Sequence, residues 1–317
     1  MMERTMVHGV RIGLGILGLQ LVVAADAHAI IVRHDVEDAR YLVDATDYPA
    51  LVDLFEPGDC IGTLIHESYL LTVAHCATDL YAGGFLAVGG TPYEIAEVVL
   101  HPEWTDAEGF DIGLVRLASP VRGVAPIALY RGHDEVDRTL TLLGRGVTAT
   151  GKEGEPGGVA DGKLRAATNV VDAADEHFLR IVLDRPGHGA TELEGVGASG
   201  DSGGPGFLEV DGVRYLAGLN SWGDDCDVEV GQYGAADYQT RVSGFTAWID
   251  THVDTSAVEP DGAPRGDARA PTQSSDFGGD LCGCSVGGPR SGAGSVFALG
   301  WLVLAFTRVW RAGPRGP

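Results

Sequence analysis

Short apolar runs separated by turn residues dominate the middle of the chain. They include "CIGTLI" (60–65), "YLLTVA" (69–74), "EIAEVVLH" (94–101), "DIGLVRL" (111–117), "TLTLLG" (139–144), "FLRIVL" (178–183) and "VRYLAGLNSW" (213–222). Each is of strand length, and β-branched residues recur among them. Helical periodicity is rare. Its best instance is "SGFTAWIDTHV" (243–253), where Phe245, Trp248, Ile249 and Val253 repeat at three- and four-residue spacing and Ser243 stands ready to cap. Many short strands and one late helix predict an all-β sandwich or barrel. No internal repeat is visible.

The two ends break this pattern. Residues 12–25, "IGLGILGLQLVVAA", form an apolar run after Arg4 and Arg11, and "AHA" follows at Ala27–Ala29. A basic start, a short apolar stretch and a small-residue site predict a secretory signal over 1–29. At about 14 residues the run falls short of the roughly 20 that a membrane anchor needs. A second apolar segment, Gly294 to Trp310, is closed by Arg308, Arg311 and Arg315. "DLCGCSVGG", with Cys282 and Cys284, precedes it, and residues 254–281 have the Pro, Gly, Asp and Ser content of a solvated linker. This layout resembles the MYXO-CTERM type of bacterial sorting tail, although it lacks a dense arginine run. The resemblance implies removal of the tail, display at the cell surface, and the bacterial membrane and sorting machinery as partners. The other possibility is an ordinary single-pass anchor. Two cysteines alone make an incomplete metal site. The chain thus divides into 1–29, a domain over 30–253, a linker over 254–281 and a tail over 282–317.

Charge sharpens the picture of the domain. The whole chain of 317 residues carries a formal net charge of −23. Residues 30–252 hold 14 Lys/Arg against 37 Asp/Glu, so the acidity belongs to the domain. It excludes nucleic acid as a partner, because phosphates are repelled. It serves solubility or draws in basic substrates. The 47 glycines fit many turns, and five cysteines are too few for a disulfide-dense miniature fold.

Three motifs carry chemistry. "LLTVAHC" ends an apolar strand on His75, "DIGLVRL" begins another on Asp111, and "GDSGGP" sets Ser202 in a glycine-rich turn. Singly, each has a structural explanation. Together, in this order, they resemble the chymotrypsin–trypsin family of serine peptidases. "HPEW" (101–104), "LLGRG" (142–146) and "SWG" (221–223) add to the resemblance, which covers nearly all of 30–252.

The resemblance implies two antiparallel six-stranded β-barrels with a short C-terminal helix, and hydrolysis of peptide bonds in protein or peptide substrates. It implies His75, Asp111 and Ser202 as the triad, the amides of Gly200 and Ser202 as oxyanion hole, and a disulfide between Cys60 and Cys76. Backbone pairing of substrate would fall to Ser221, Trp222 and Gly223. The family's partner for Cys226 would stand at Ala198, so Cys226 is expected to be unpaired. The base of the primary pocket would be Val196, which predicts an apolar P1 side chain, while Asp237 stands near a pocket-facing position where it would receive a basic one. The family also frees an apolar N-terminus on activation, which would make Ile30 the partner of Asp201. "IIVRHD" departs from the family in lacking two glycines after the apolar pair. With the signal ending at Ala29, signal cleavage would itself be the activating cut. No cofactor or metal is expected: His34, His66, His101, His133, His177 and His188 show no ligand spacing. Two alternatives remain, an esterase or amidase on the same triad and a catalytically silent binding module.

Overall fold

The apolar runs fold as antiparallel strands in two barrels, one from each half of the domain. The structure is a computed structural model. It describes residues 30–105, 109–224, 228–260 and 262–264. The expected signal segment, Cys226, the later linker, the Cys282–Cys284 pair and the apolar tail lie outside the described residues. Among the described residues, no helix is long and apolar enough to cross a membrane.

The first barrel comprises β1 (Leu51–Asp53), β2 (Ile61–His66), β3 (Tyr69–Thr72), β4 (Phe85–Val88), β5 (Thr91–Leu100) and β6 (Gly113–Leu117). Their order is β1-β2-β3-β6-β5-β4. The second comprises β7 (Thr139–Gly144), β8 (Arg165–Ala174), β9 (Phe178–Val182), β10 (Pro205–Val210), β11 (Val213–Gly223) and β12 (Ala236–Arg241). These run β10-β7-β8-β9-β12-β11, and β11 pairs back to β10 to close the ring. Closure removes the exposed edges that an open sheet leaves. This is the two-barrel, all-β fold that the resemblance implied.

The strand β8 was hidden from the hydrophobic pattern. Its inward row is Arg165, Ala167, Asn169 and Val171, so half of the buried positions are polar. Their polar groups are satisfied by partners that, apart from Asp161, come from other segments. The Arg165 guanidinium, with no exposed surface, meets Asp38 at 2.8 Å and Asp161 at 3.0 Å. The Asn169 amide donates to the carbonyls of Val182 and Gly195 at 2.9 and 3.0 Å.

The one-turn helix α1 is Ala74–Ala77, and the late helix is α2, Val242–Asp250, shorter at its end than the pattern suggested. The expected Ser243 cap is corrected. Arg241 occupies the cap position, and Ser243 lies inside the first turn with its Oγ donating to Glu135 at 2.6 Å. The helix start is instead pinned by the buried Arg241–Glu135 pair, at 3.1 and 2.6 Å.

The two ends of the domain pack in different cores. Val242, Phe245 and Ile249 of α2 share a core with Leu64, Leu70 and Leu114 of the first barrel. The short strand Ile31–Val32 pairs with Gly195–Val196 and joins the second barrel's core with Leu140, Leu142 and Ile181. The N-terminal strand therefore packs on the barrel built by the other half, while α2 lies in a core shared by both barrels, with Leu216 and Leu219 of β11 as well. The absence of two glycines after Val32 is accommodated at the surface: Arg33 bonds Asp35 and the Thr191 carbonyl, and the His34 amide donates to the Tyr233 hydroxyl at 3.0 Å.

Candidate active site

Strand register brings His75 and Asp111 together. β3 pairs with β6 so that Thr72 lies opposite Gly113. His75 stands three residues beyond Thr72, on the single turn Ala74–Ala77, and Asp111 stands two before Gly113. That turn buries Ala74, Cys76 and Ala77 and turns His75 outward. The His75 amide donates to Asp111 Oδ1 at 2.9 Å, and Nδ1 lies 2.8 Å from Oδ2. The carboxylate thereby fixes Nδ1 as the donor and leaves the lone pair on Nε2. Ser221 Oγ donates to the same Oδ2 at 2.6 Å. The carboxyl is almost wholly buried, which alone would raise its pKa. The His75 hydrogen bond and charge, with the Ser221 bond, outweigh burial and hold it below the ordinary carboxylate range.

The residue before Asp111 carries backbone strain. Phe110 has φ 58°, which costs a residue with a Cβ roughly 1–2 kcal/mol. Its ring is held 4.8 Å from that of His101 and 4.3 Å from that of His177. Packing thus fixes the backbone that aims the acid.

Ser202 stands in the turn between Val196 and β10. Asp201 N–H donates to the Ala198 carbonyl and Gly204 N–H to the Asp201 carbonyl, which closes the turn at 2.9 and 2.8 Å. First-barrel amides hold it from outside: Cys60 N–H donates to the Gly200 carbonyl and Ile61 N–H to that of Ser202, at 3.2 and 2.7 Å. Gly200 has φ +91°, and a Cβ there would stand 2.0 Å from the Gly58 carbonyl oxygen, so only glycine fits. Among the described residues, the amides of Gly200 and Ser202 donate to no acceptor. The implied disulfide is present: Cys60 and Cys76 are bonded with Cα atoms 6.0 Å apart. Their sulfurs cluster with His75, but sulfurs joined to each other are not thiolate ligands, so the group is no metal site.

A cavity of about 520 Å³ opens beside Ser202. Ser221, Trp222, Gly223 and Asp237 line it, together with Ala198, Asn220, Glu155 and Glu229. Val196 is not among the lining residues; it is 2% exposed and pairs with Ile31. The Ser221 side chain serves Asp111, a role its backbone motif did not reveal. The Trp222 ring stacks on Tyr238 at 3.7 Å, which turns it to the opposite face of β12 from Asp237. Asn220 and Gln239 were missed. Their one sequence signal was spacing, since Gln239 lies two residues from Asp237 on one strand face.

Two further carboxyls are buried here. Asp201 accepts from the Gly146 amide at 2.7 Å and the Ala198 amide at 3.0 Å. Burial pushes its pKa up to about 7, although these amides oppose the rise. Asp237 accepts from Gln239 Nε2 at 2.9 Å, and burial likewise pushes it up to about 7. Among the described residues, no side-chain cation bonds to either.

Comparison with known proteins identifies the family and the fold. The family model for trypsin matches residues 43–249. Vitamin K-dependent protein C of Mus musculus is 28% identical over 231 residues, covering 63% of this chain and 47% of that protein. Serine proteinase stubble of Drosophila melanogaster is 29% identical over 224 residues, covering 61% and 27%. The chain thus matches less than half the length of these relatives. Among solved structures, neuropsin, a serine protease expressed in the limbic system of mouse brain, superposes with a TM-score of 0.52 at 21% identity. That likeness covers 68% of this chain and 98% of neuropsin, and is one of fold. A family model spanning both barrels, with His75, Asp111 and Ser202 inside its bounds, places the chain in the trypsin family.

Proposed function

We propose that the chain is an exported serine endopeptidase that hydrolyses protein or peptide substrates through an acyl-enzyme on Ser202. The observation that carries this is the double grip of Asp111 on His75, at its amide and at Nδ1. His75 Nε2 takes the Ser202 proton as Oγ attacks the scissile carbonyl carbon. The peptide C–N bond breaks, and the leaving amine receives that proton. Water then repeats the sequence on the acyl ester, returning the proton to Ser202. The free amides of Gly200 and Ser202 suit the developing oxyanion, and each such donor is worth roughly 3–4 kcal/mol. An extended substrate would pair with the backbone of Ser221–Gly223 as an added strand. An apolar P1 side chain would meet Ala198, Val147 and Val230, not Val196.

Asp201 supports activation at Ile30. A buried carboxylate held only by amides is under-compensated. Ile30 is itself buried and begins the strand that pairs with Val196. Cleavage after Ala29 would free an ammonium there, the cation that Asp201 lacks. Export is supported by the basic, apolar and small-residue pattern of 1–29, and by a disulfide of the kind that persists in oxidising compartments. The layout of 254–317 supports surface display by sorting machinery or membrane anchoring.

Mass spectrometry of exported protein after fluorophosphonate labelling tests the proposal. The expected result is an N-terminus at Ile30 and one adduct, at Ser202, absent from His75→Ala. Protein that begins at Ile30 with Ser202 unlabelled would sink it.

A further inference from the structure

The turn that carries Ser202 has no disulfide at residue 198, which is alanine, and its hold on the neighbouring wall is polar instead. A hairpin lies against it, in which Val147–Thr148 pairs with Val159–Ala160. Between these strands, Glu155–Gly157 forms one tight turn. The hairpin grips Ser199 twice. The Val147 amide donates to the Ser199 carbonyl at 2.7 Å, and the Ser199 hydroxyl donates to the Glu155 carboxylate.

Glu155 is itself held from another side. Its amide donates to the Val230 carbonyl at 2.8 Å. Gly154, just before it, has φ +69°, and a Cβ there would stand 3.0 Å from that same carbonyl oxygen. Glycine at 154 thus lets the turn close onto the chain at Val230. Residue 155 joins three pieces of chain that meet around the cavity: its own hairpin, the Ser202 turn and the segment at Val230.

The grip falls on the peptide unit that matters for the chemistry. The Ser199 carbonyl and the Gly200 N–H belong to one trans, planar unit and point in opposite directions. Rotation of that unit would carry the Gly200 N–H away from the point where an oxyanion develops. Gly200, with no Cβ, does little to oppose the rotation, so the resistance must come from residue 199. Val147 holds its carbonyl and Glu155 its side chain. A donor fixed before the reaction needs no reorganisation when the charge appears.

We propose that Glu155 and Ser199 are positioning residues for the oxyanion hole. Their charge-assisted hydrogen bond holds the 199–200 peptide with its N–H aimed at the tetrahedral intermediate. Neither side chain is required to touch the reacting atoms. The inference rests on the endopeptidase reading of Ser202.

The test is steady-state kinetics of the exported protein on a peptide amide with an apolar P1 residue. A trifluoromethyl ketone of the same peptide serves as probe. Ser202 Oγ adds to its carbonyl carbon and the proton passes to His75, which leaves a hemiketal oxyanion at the hole. In Glu155→Ala and in Ser199→Ala, kcat should fall about tenfold while KM stays near its wild-type value. Ketone affinity should weaken by the same factor, because only complexes with an oxyanion use the Gly200 N–H. Glu155→Gln keeps an acceptor oxygen and should retain most of the activity. The double variant should lose no more than either single one. Ser199 is exposed and its change to alanine removes only a hydroxyl, so that variant decides the matter even if Glu155→Ala fails to fold. Wild-type kcat in Ser199→Ala overturns the proposal, as does a loss confined to KM or one that leaves ketone affinity unchanged. No cleavage and no Ser202 adduct in the wild type would overturn the endopeptidase reading instead.

Discussion

Three buried aspartates lie around one turn, and they divide two ways. Asp111 is 5% exposed, Asp201 1% and Asp237 3%, so burial does not separate them. Yet Asp111 titrates below its ordinary value and the other two near 7. The difference is the partner. Asp111 faces an imidazole that can carry charge, and two of its bonds come from that one residue. Among the described residues, Asp201 and Asp237 accept from neutral donors and from no side-chain cation. A buried carboxylate beside a cation-capable group is complete, whereas one without it is poised for a cation still to arrive. On the activation proposed above, maturation brings that cation to Asp201.

The sharpest way to break this contrast is Asp111→Asn. An amide there no longer selects the Nδ1–H tautomer, so kcat should fall about 10⁴-fold with little change in KM, the size of this exchange elsewhere in the family. Steady-state kinetics read it, and a loss no greater than tenfold would remove the special standing of Asp111. Next in size is the activation pair. Mature protein lengthened by one residue before Ile30, or carrying Asp201→Asn, should lose about 10²- to 10³-fold in kcat/KM, the scale of breaking a buried ion pair from one side. Retained activity in both would show that Asp201 awaits no ammonium.

The smallest effect is on stability. In chain not yet cut at Ile30, Asp201 binds its proton up to about pH 7, while in the unfolded chain it releases it near 3.8. The folded state holds the extra proton between these values, so this contribution is full below the unfolded pKa and lost as pH rises through the folded one. Uncut Ser202→Ala protein should therefore lose roughly 1–3 kcal/mol from about pH 4 to pH 7.5 by urea unfolding. Adding Asp201→Asn should flatten that slope, leaving the share due to Asp237. An equal slope with and without Asp201→Asn would mean that its proton plays no part.

The legible and illegible parts of the molecule differ in what sets them. His75, Asp111 and Ser202 stood out because each is a polar residue at the end of an apolar run, in an order that one family uses. Barrel strands with apolar inward rows, such as "TLTLLG", were equally plain. β8 was not, because Arg165 and Asn169 fill its inward row, and apart from Asp161 their partners, Asp38 and the carbonyls of Val182 and Gly195, come from other segments of the chain. The Ser243 cap misled for a related reason: a distant carboxylate, Glu135, claims the hydroxyl that local pattern assigned to the helix. Within the site, the resemblance implied Val196 at the pocket base, and only the strand pairing shows it sealed against Ile31. Asn220 and Gln239 had no motif at all. Their importance comes only from the pairing of β11 with β12, which sets Asn220 opposite Gln239.

The placement of the domain's two ends has a consequence for how the molecule folds. Neither half carries all of its own core: α2 fills a core that residues of both barrels share, and Ile31–Val32 completes the second barrel from the near end. Contacts that span nearly the whole domain form late and make folding slow. A truncated or half-synthesised chain would expose one apolar barrel end, and the two barrels should unfold together in a single cooperative step.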